Sequence, residues 1–268
     1  MARLIKNLQE LYRYRVLVQN LVSRELKARY RGTVLGFLWS FFNPLLLMII
    51  YTIVFGFILP NRSSEFGNSP WLYALFLFSG VLPWVWFSSS SIESANVLMI
   101  HGNLIKKILF PAEVLPVVTV TSNLVHFSFG LPILLLFVLI FGKPFTLYVL
   151  LLPVVVLVQY IFALSFSFLL SALTVHFRDI QNILSHVLQL WFFATPVLYF
   201  YGGIHGAFRT VLRLNPMAHV MVSYQQMLFH GGFDHYEGLA LAGIAALVTY
   251  AIGAFLFDRL RDTLAEGV

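Results

Sequence analysis

The sequence predicts an all-α integral membrane protein with six transmembrane helices, and three observations predict it. Of 268 residues, 59% are hydrophobic and only 10% are charged, whereas a water-soluble domain carries roughly a quarter charged residues. With histidine set aside, six runs carry no charge at all: 32–61, 66–92, 114–142, 144–177, 180–208 and 238–257, each of 20 residues or more. At ~1.5 Å per residue, such a run crosses a hydrocarbon core of ~30 Å. Finally, eight of the 17 Lys and Arg fall in the first 31 residues, where membrane orientation is set.

An even number of spans returns both termini to one side. Placing them in the cytoplasm puts thirteen basic residues inside, against Arg62, Lys143, Arg209 and Arg213 outside, the asymmetry that the positive-inside rule requires. The chain divides into an amphipathic interfacial lead-in, 1–31, and a single six-span domain, 32–268. A net charge of +6 could suggest nucleic acid, but its concentration at the N-terminus leaves no basic surface elsewhere to serve one. Cysteine is absent, which excludes disulfides and thiolate metal sites. No apolar segment ends in a small-residue cleavage site near the start, so no removable signal peptide is expected.

In the lead-in, Arg24, Lys27 and Arg31 recur at spacings of three and four and share one helical face; Leu21, Val22, Leu26 and Tyr30 offer another. Alone, these residues fit either a positive anchor or a docking element for a cytoplasmic partner. Span one is expected over Gly36–Leu59, with Asn43-Pro44 inside it. Span two is expected over Trp71–Met99, interrupted at Gly80-Val81-Leu82-Pro83-Trp84 and followed by the polar tract SSSSIESAN (88–96). Glu93 in that tract fits an aqueous pathway or an interfacial position, since a carboxylate near the bilayer needs a cavity or a partner. In HGNLIKKILFPAEVLP (101–116), Asn103 is expected to cap a short helix over Leu104–Phe110, stopped by Pro111; it could simply lie on the lipid surface.

Span three, Val117–Phe141, contains His126, which reads as a hydrogen-bonded packing residue rather than a proton carrier. Span four covers Leu147–Val175 and span five Ile183–Tyr201. Asn215-Pro216 is a helix-start signal. It introduces a short amphipathic helix, Met217–Phe229, too short and polar to cross. Span six, Gly238–Phe257, ends in the basic cap DRLRDTLAE.

Several of these stretches resemble one family. RELKARYRGTVLGFLWSFFNP (24–44) is similar to the opening signature of ABC-2 type permeases that export bacterial polysaccharides, the membrane subunits of O-antigen and teichoic acid exporters. NLIKKILFPAEVLP (103–116) resembles the family's cytoplasmic segment between spans two and three. HFRDIQNIL (176–184) resembles its link between spans four and five, in the same order. The resemblance implies a homodimer beside two copies of a cytoplasmic ABC ATPase, carrying a lipid-linked polysaccharide across the bacterial cytoplasmic (inner) membrane. It implies ATPase coupling through Arg24, Glu25, Lys27 and Arg31, through a coupling helix with Asn103, Leu104, Ile105, Lys106, Lys107 and Phe110, and through Arg178 and Asp179. It also implies that the segment between spans five and six folds back into the membrane as short outer re-entrant helices.

Chemistry within the chain is not expected. The only Gly-Lys pair, Gly142-Lys143, is followed by proline, and position 137 is Phe where a nucleotide-binding loop needs Gly. ATP and Mg are therefore assigned to the partner, and no cofactor to this chain. No HEXXH motif or spaced carboxylate pair supplies acid/base groups, so no catalytic residue is assigned and the chain is read as a non-catalytic permease subunit. HGGFDHYE (230–237) brings together His230, Asp234, His235 and Glu237, but their spacing matches no metal site. Weak, repeated contacts suit a polymer path, and the aromatic candidates to line one are Trp39, Tyr51, Trp84, Trp86, Phe87, Tyr199 and Tyr201, with Glu93. An exporter of small drugs or lipids, a proton-coupled carrier using Glu93 and His126, and a glycan-processing membrane enzyme are the rival readings.

Overall fold

The computed structural model describes residues 13–58, 69–107 and 110–267. The start of the lead-in and most of the polar loop at 61–70 lie outside the described residues. Among the described residues the chain is helical, with no strand. Helix α1 is Arg15–Tyr30, and α2 is Trp39–Tyr51, continued by a π-helical segment Thr52–Ile58. Then follow α3 (Pro70–Ile100), α4 (Gly102–Lys107), α5 (Val114–Ile140) and α6 (Leu152–His176). The last four are α7 (Ile180–Phe193), α8 (Ala207–Leu214), α9 (Pro216–Gln225) and α10 (Tyr236–Gly267).

The bundle is organised around α3, which starts at Pro70, where a missing N–H costs nothing. Its first half is apolar all round, and every residue from Tyr73 to Trp84 is buried, as a helix enclosed on all sides must be. Its contacts fix the direction of its neighbours. Trp71 stacks near Phe141, Gly130 receives Leu82, and Asn123 meets Glu93, so α5 runs antiparallel to α3. Gln159 reaches Pro83 and Ser94 reaches Ser167, so α6 runs parallel to it. Ser165 meets Thr249 and Phe168 meets Phe257, which makes α10 parallel to α6. Phe55 meets Tyr73 and Trp39 shares a cleft with Trp86, so α2 runs antiparallel to α3. Trp191 meets Trp84 and the Leu198 carbonyl just beyond α7 accepts from Tyr73, so α7 does too. The six helices α2, α3, α5, α6, α7 and α10 thus alternate in direction along the chain. One end of the bundle collects α1, α4, the 177–179 turn and the end of α10; the other collects 141–146 and 201–235.

Several expectations are corrected. The Gly80–Trp84 stretch does not interrupt span two, because α3 runs through it without a break. Pro83 has no N–H to give the Ser79 carbonyl four residues back, yet the helix stays continuous there. The Pro83 carbonyl accepts from Gln159 Nε2 at 2.7 Å, and Gly80 packs against Val197 and Gln225. Among the described residues, four helices are long and apolar enough to cross a membrane: α3, α5, α6 with its preceding 3-10 turn, and α10. The first apolar helix reaches only from Trp39 to Phe55 by the same measure.

Span five is shorter than expected. Helix α7 begins earlier, at Ile180, and stops at Phe193, since Pro196 disfavours helix in the residue before it. Its 14 residues cover about 21 Å at ~1.5 Å each. The final helix instead continues through the basic cap to Gly267. The helix expected over Met217–Phe229 forms as α9 with a π-helical extension to Phe229 and His230. It is not amphipathic: all of Met217–Gln225 is buried, against α3, α6 and α10. Asn103 does not cap α4 from outside, because the helix begins at Gly102 and the His101 carbonyl accepts from the N–H groups of Leu104 and Ile105.

Candidate functional site

At the charged end, α1 lies across α5 and delivers polar side chains to α3. Val22 packs on Val114 and Val118, with Leu17, Val18 and Leu21 beside it, and this apolar stripe continues into Glu25 and Arg29. The Arg29 guanidinium donates to Glu93 Oε2 at 2.9 Å, to Glu25 Oε1 at 3.4 Å and to Asn123 Oδ1 at 3.3 Å. Asn123 Nδ2 donates to the same Glu93 oxygen at 2.7 Å, and Ser122 Oγ to Glu25 at 3.2 Å. One turn on, the Tyr30 hydroxyl and His126 Nδ1 are 3.0 Å apart. Burial holds the Glu25 carboxyl above its ordinary value, with Arg29 opposing and the Glu93 charge adding to the rise. Two carboxylates share one guanidinium, an arrangement that joins three helices through charge-assisted hydrogen bonds.

Sequence reasoning missed the two residues at the centre, Arg29 and Asn123. The signal was present in α1: Val18, Val22, Glu25 and Arg29 follow the three–four spacing of a buried helix face. The three cations expected to act together have different surroundings. Arg24 and Glu25 line a 250 Å³ pocket with His101 and Leu104, whereas Lys27 and Arg31 line a groove on the opposite flank of α1. In α4, Leu104 and Ile105 are half-buried while Asn103 is exposed; Lys106 and Lys107 form its last turn. Phe110 packs against the Val22–Val114–Val118 cluster. Arg178 and Asp179 are exposed in the α6–α7 turn at this same end.

The aromatic candidates separate into four groups. Trp39 and Trp86 line a 470 Å³ cleft between α1, α2, α3 and α5, together with Ser40, Asn43, Asn123 and His126. Trp86 is itself largely covered, stacked on Phe127 at 5.0 Å. Trp84 and Phe87 sit inside the bundle in a ring cluster with Phe162, Phe166, Trp191 and Phe192. Tyr51 stacks on Phe55. Tyr199 and Tyr201 lie at the far end; the Tyr199 hydroxyl donates to the Phe193 carbonyl at 3.2 Å, and Arg209 stands 6.0 Å over the Tyr201 ring.

Beyond these, α7 exposes Gln181, Asn182, Ser185, His186 and Gln189 among Ile183, Val187, Leu190 and Phe193. An amide and hydroxyl stripe on a helix of an apolar bundle calls for water or a partner on that face. Its spacing was legible in the sequence. At the far end, His219 lies between the Arg213 carbonyl at 2.9 Å and His235 Nε2 at 2.9 Å. No group of three metal-ligating side chains occurs among the described residues.

The family model described as ABC-2 type transporter matches residues 16–229. An O-antigen export system permease protein RfbA from Myxococcus xanthus is 41% identical over 268 residues, covering 99% of this chain and all of that protein. Its namesake from Klebsiella pneumoniae is 31% identical over 247 residues, 92% of each. A polysialic acid transport protein KpsM from Escherichia coli is 23% identical over 254 residues, covering 93% of this chain and 95% of its own. A family match over most of the length, joined to full-length relatives and a bundle of apolar helices, places this chain in the ABC-2 type transporter family, as a membrane permease.

Proposed function

We propose that the chain is the membrane-spanning subunit of an exporter carrying a lipid-linked polysaccharide, O-antigen-like or teichoic-acid-like, across the bacterial inner membrane. It works as a homodimer with two copies of a cytoplasmic ABC ATPase, which binds the ATP and Mg. The names of the relatives support the cargo, and the alternating direction of six helices supports a six-span protomer with both termini in the cytoplasm. The carrying observation is the α7 stripe of Gln181, Asn182, Ser185, His186 and Gln189. Two copies facing each other across α7 and α2 enclose a path lined by amides and hydroxyls, which form short-lived contacts with sugar hydroxyls.

The ATPase grips the charged end through α4, Arg24, Glu25 and the Arg178-Asp179 turn. Movement of α1 reaches α3 and α5 through the Arg29 network, and the wet path passes Trp39 and Glu93 at the cytoplasmic side and Tyr199 and Tyr201 at the outer side. The experiment is co-expression with the neighbouring ATPase and reconstitution into vesicles. ATP-driven movement of lipid-linked glycan is expected, at least about tenfold slower after Gln181→Leu and Gln189→Leu together. Transport that needs no ATPase, or a complex containing one copy of the chain, would overturn the reading.

A further inference from the structure

The flank of α1 that faces away from α4 is built differently from the rest of the charged end. A 730 Å³ groove runs between α1 and α5, walled by Val18, Val22, Leu26 and Thr121 and closed by Gly36. Lys27 and Arg31, one helical turn apart, stand at its edge. Both are exposed, and among the described residues neither pairs with a carboxylate. This contrasts with Arg29, which is spent on Glu25 and Glu93. Immediately after α1, Val34 is fully exposed and Leu38 half exposed. Two apolar side chains held out in this way mark where the hydrocarbon begins, so Lys27 and Arg31 lie at headgroup level.

We propose that this groove is a binding site for one acidic phospholipid, its phosphate on Lys27 and Arg31 and an acyl chain along Val18, Val22 and Leu26. Charge complementarity selects the occupant. A second copy of this chain would bring the same two cations to the contact and repel itself. A zwitterionic lipid would fill the apolar wall but leave two cations unmatched. The cytoplasmic leaflet, where the positive-inside asymmetry of the sequence puts α1, carries the anionic lipids that such basic residues attract. A lipid seated here wedges α1 against α5 and so holds in place the helix that carries Arg29 to Glu93. The site does not depend on which cargo the permease moves.

Native mass spectrometry of the purified full chain in detergent tests it, with phosphatidylglycerol and phosphatidylethanolamine of equal acyl length titrated separately. One retained phosphatidylglycerol is expected, bound about tenfold or more in preference to phosphatidylethanolamine. Lys27→Gln with Arg31→Gln should erase that preference. Ser23→Trp, at an exposed position on the groove wall, should exclude both lipids, while Arg24→Gln, facing the other flank, should leave the lipid preference of the isolated chain in place; unfolding midpoints confirm that each variant is folded. Equal binding of the two lipids would overturn the proposal. Retained phosphatidylglycerol in Ser23→Trp would also do so, since the cations would then be attracting lipid at the surface without the groove. So would a loss in Arg24→Gln as large as in the double variant.

Discussion

The Arg29 guanidinium and the Glu93 carboxylate meet at 2.9 Å across 64 residues of sequence, with side chains 30% and 35% exposed. The pair is neither a surface ion pair, where the gain is ~0–1 kcal/mol, nor a sealed one, where removing a single partner costs ~3–5 kcal/mol. It is also unevenly shared, because Arg29 serves Glu25 as well.

The two truncations therefore differ. Arg29→Ala leaves Glu25 and Glu93 facing each other without a cation, and should cost about 2 kcal/mol. Glu93→Gln keeps the Arg29–Glu25 pair and an oxygen for Asn123, and should cost about 1 kcal/mol. Urea or thermal unfolding of the purified chain in detergent checks the order. Equal losses would mean that the three groups do not act as one network.

Much of the fold was legible in the sequence, and the failures share a cause. Charge-free runs located α3, α5, α6 and α10 well, because length and the absence of charge are one-dimensional properties. Around Pro83, α3 is packed by residues far off in sequence, Gln159 on the Pro83 carbonyl from 76 residues away among them, and no local rule contains that. The burial of α9 is of the same kind: its His219, Ser223 and Gln225 read as a wet face until Pro196, Arg213 and His219 carbonyls are found to accept from them. At the charged end, spacing identified the basic face of α1 but not which cation turned inward, since Arg29 is singled out only by Glu93 and Asn123.

Asn215 ties the end of α7 to the start of α9. Its Oδ1 accepts from Trp191 Nε1 at 3.0 Å and from the Met217 N–H at 3.1 Å, while its Nδ2 donates to the Ala194 carbonyl and to Thr195 Oγ1, both at 3.0 Å. Asn215→Asp keeps the shape and the helix cap but has no N–H to give, leaving the Ala194 carbonyl without its donor. Asn215→Ala removes all four bonds. Losses of about 2 kcal/mol for Asp and about 3 kcal/mol for Ala are expected from unfolding measurements.

The His219–His235 contact makes the far end sensitive to acid. Burial, with His219 adding to it and Asp234 opposing, lowers the His235 pKa to about 4. The unfolded chain, with an ordinary histidine, binds more protons than the folded one between about pH 6.5 and that value. Stability from this group is thus fully present above pH 6.5 and lost as the pH falls towards 4. Comparing unfolding midpoints of the native chain and His235→Asn at pH 7, 5.5 and 4.5 should show a smaller acid-induced drop in the variant. Parallel curves would remove His235 as the source.

The parallel pair α6 and α10 offers two glycines whose substitution should act in opposite directions. A Cβ built on Gly253 lies 2.6 Å from the Ser165 carbonyl oxygen, closer than any real contact, and that atom belongs to the backbone of the facing helix. Gly253→Ala must push the two helices apart, and small residues are what lets membrane helices approach this closely. A loss of about 1–3 kcal/mol is expected, as for other overpacked interfaces. At Gly243 the nearest neighbour to the added carbon is Val158 Cγ2 at 3.8 Å, an ordinary van der Waals distance. There the new methyl group strains nothing and removes backbone freedom from the unfolded chain, so Gly243→Ala should gain about 0.5–1 kcal/mol. Both changes sit in one helix and alter composition identically, so unfolding midpoints that moved in the same direction would show that the contact at Ser165 does not set the spacing of the pair.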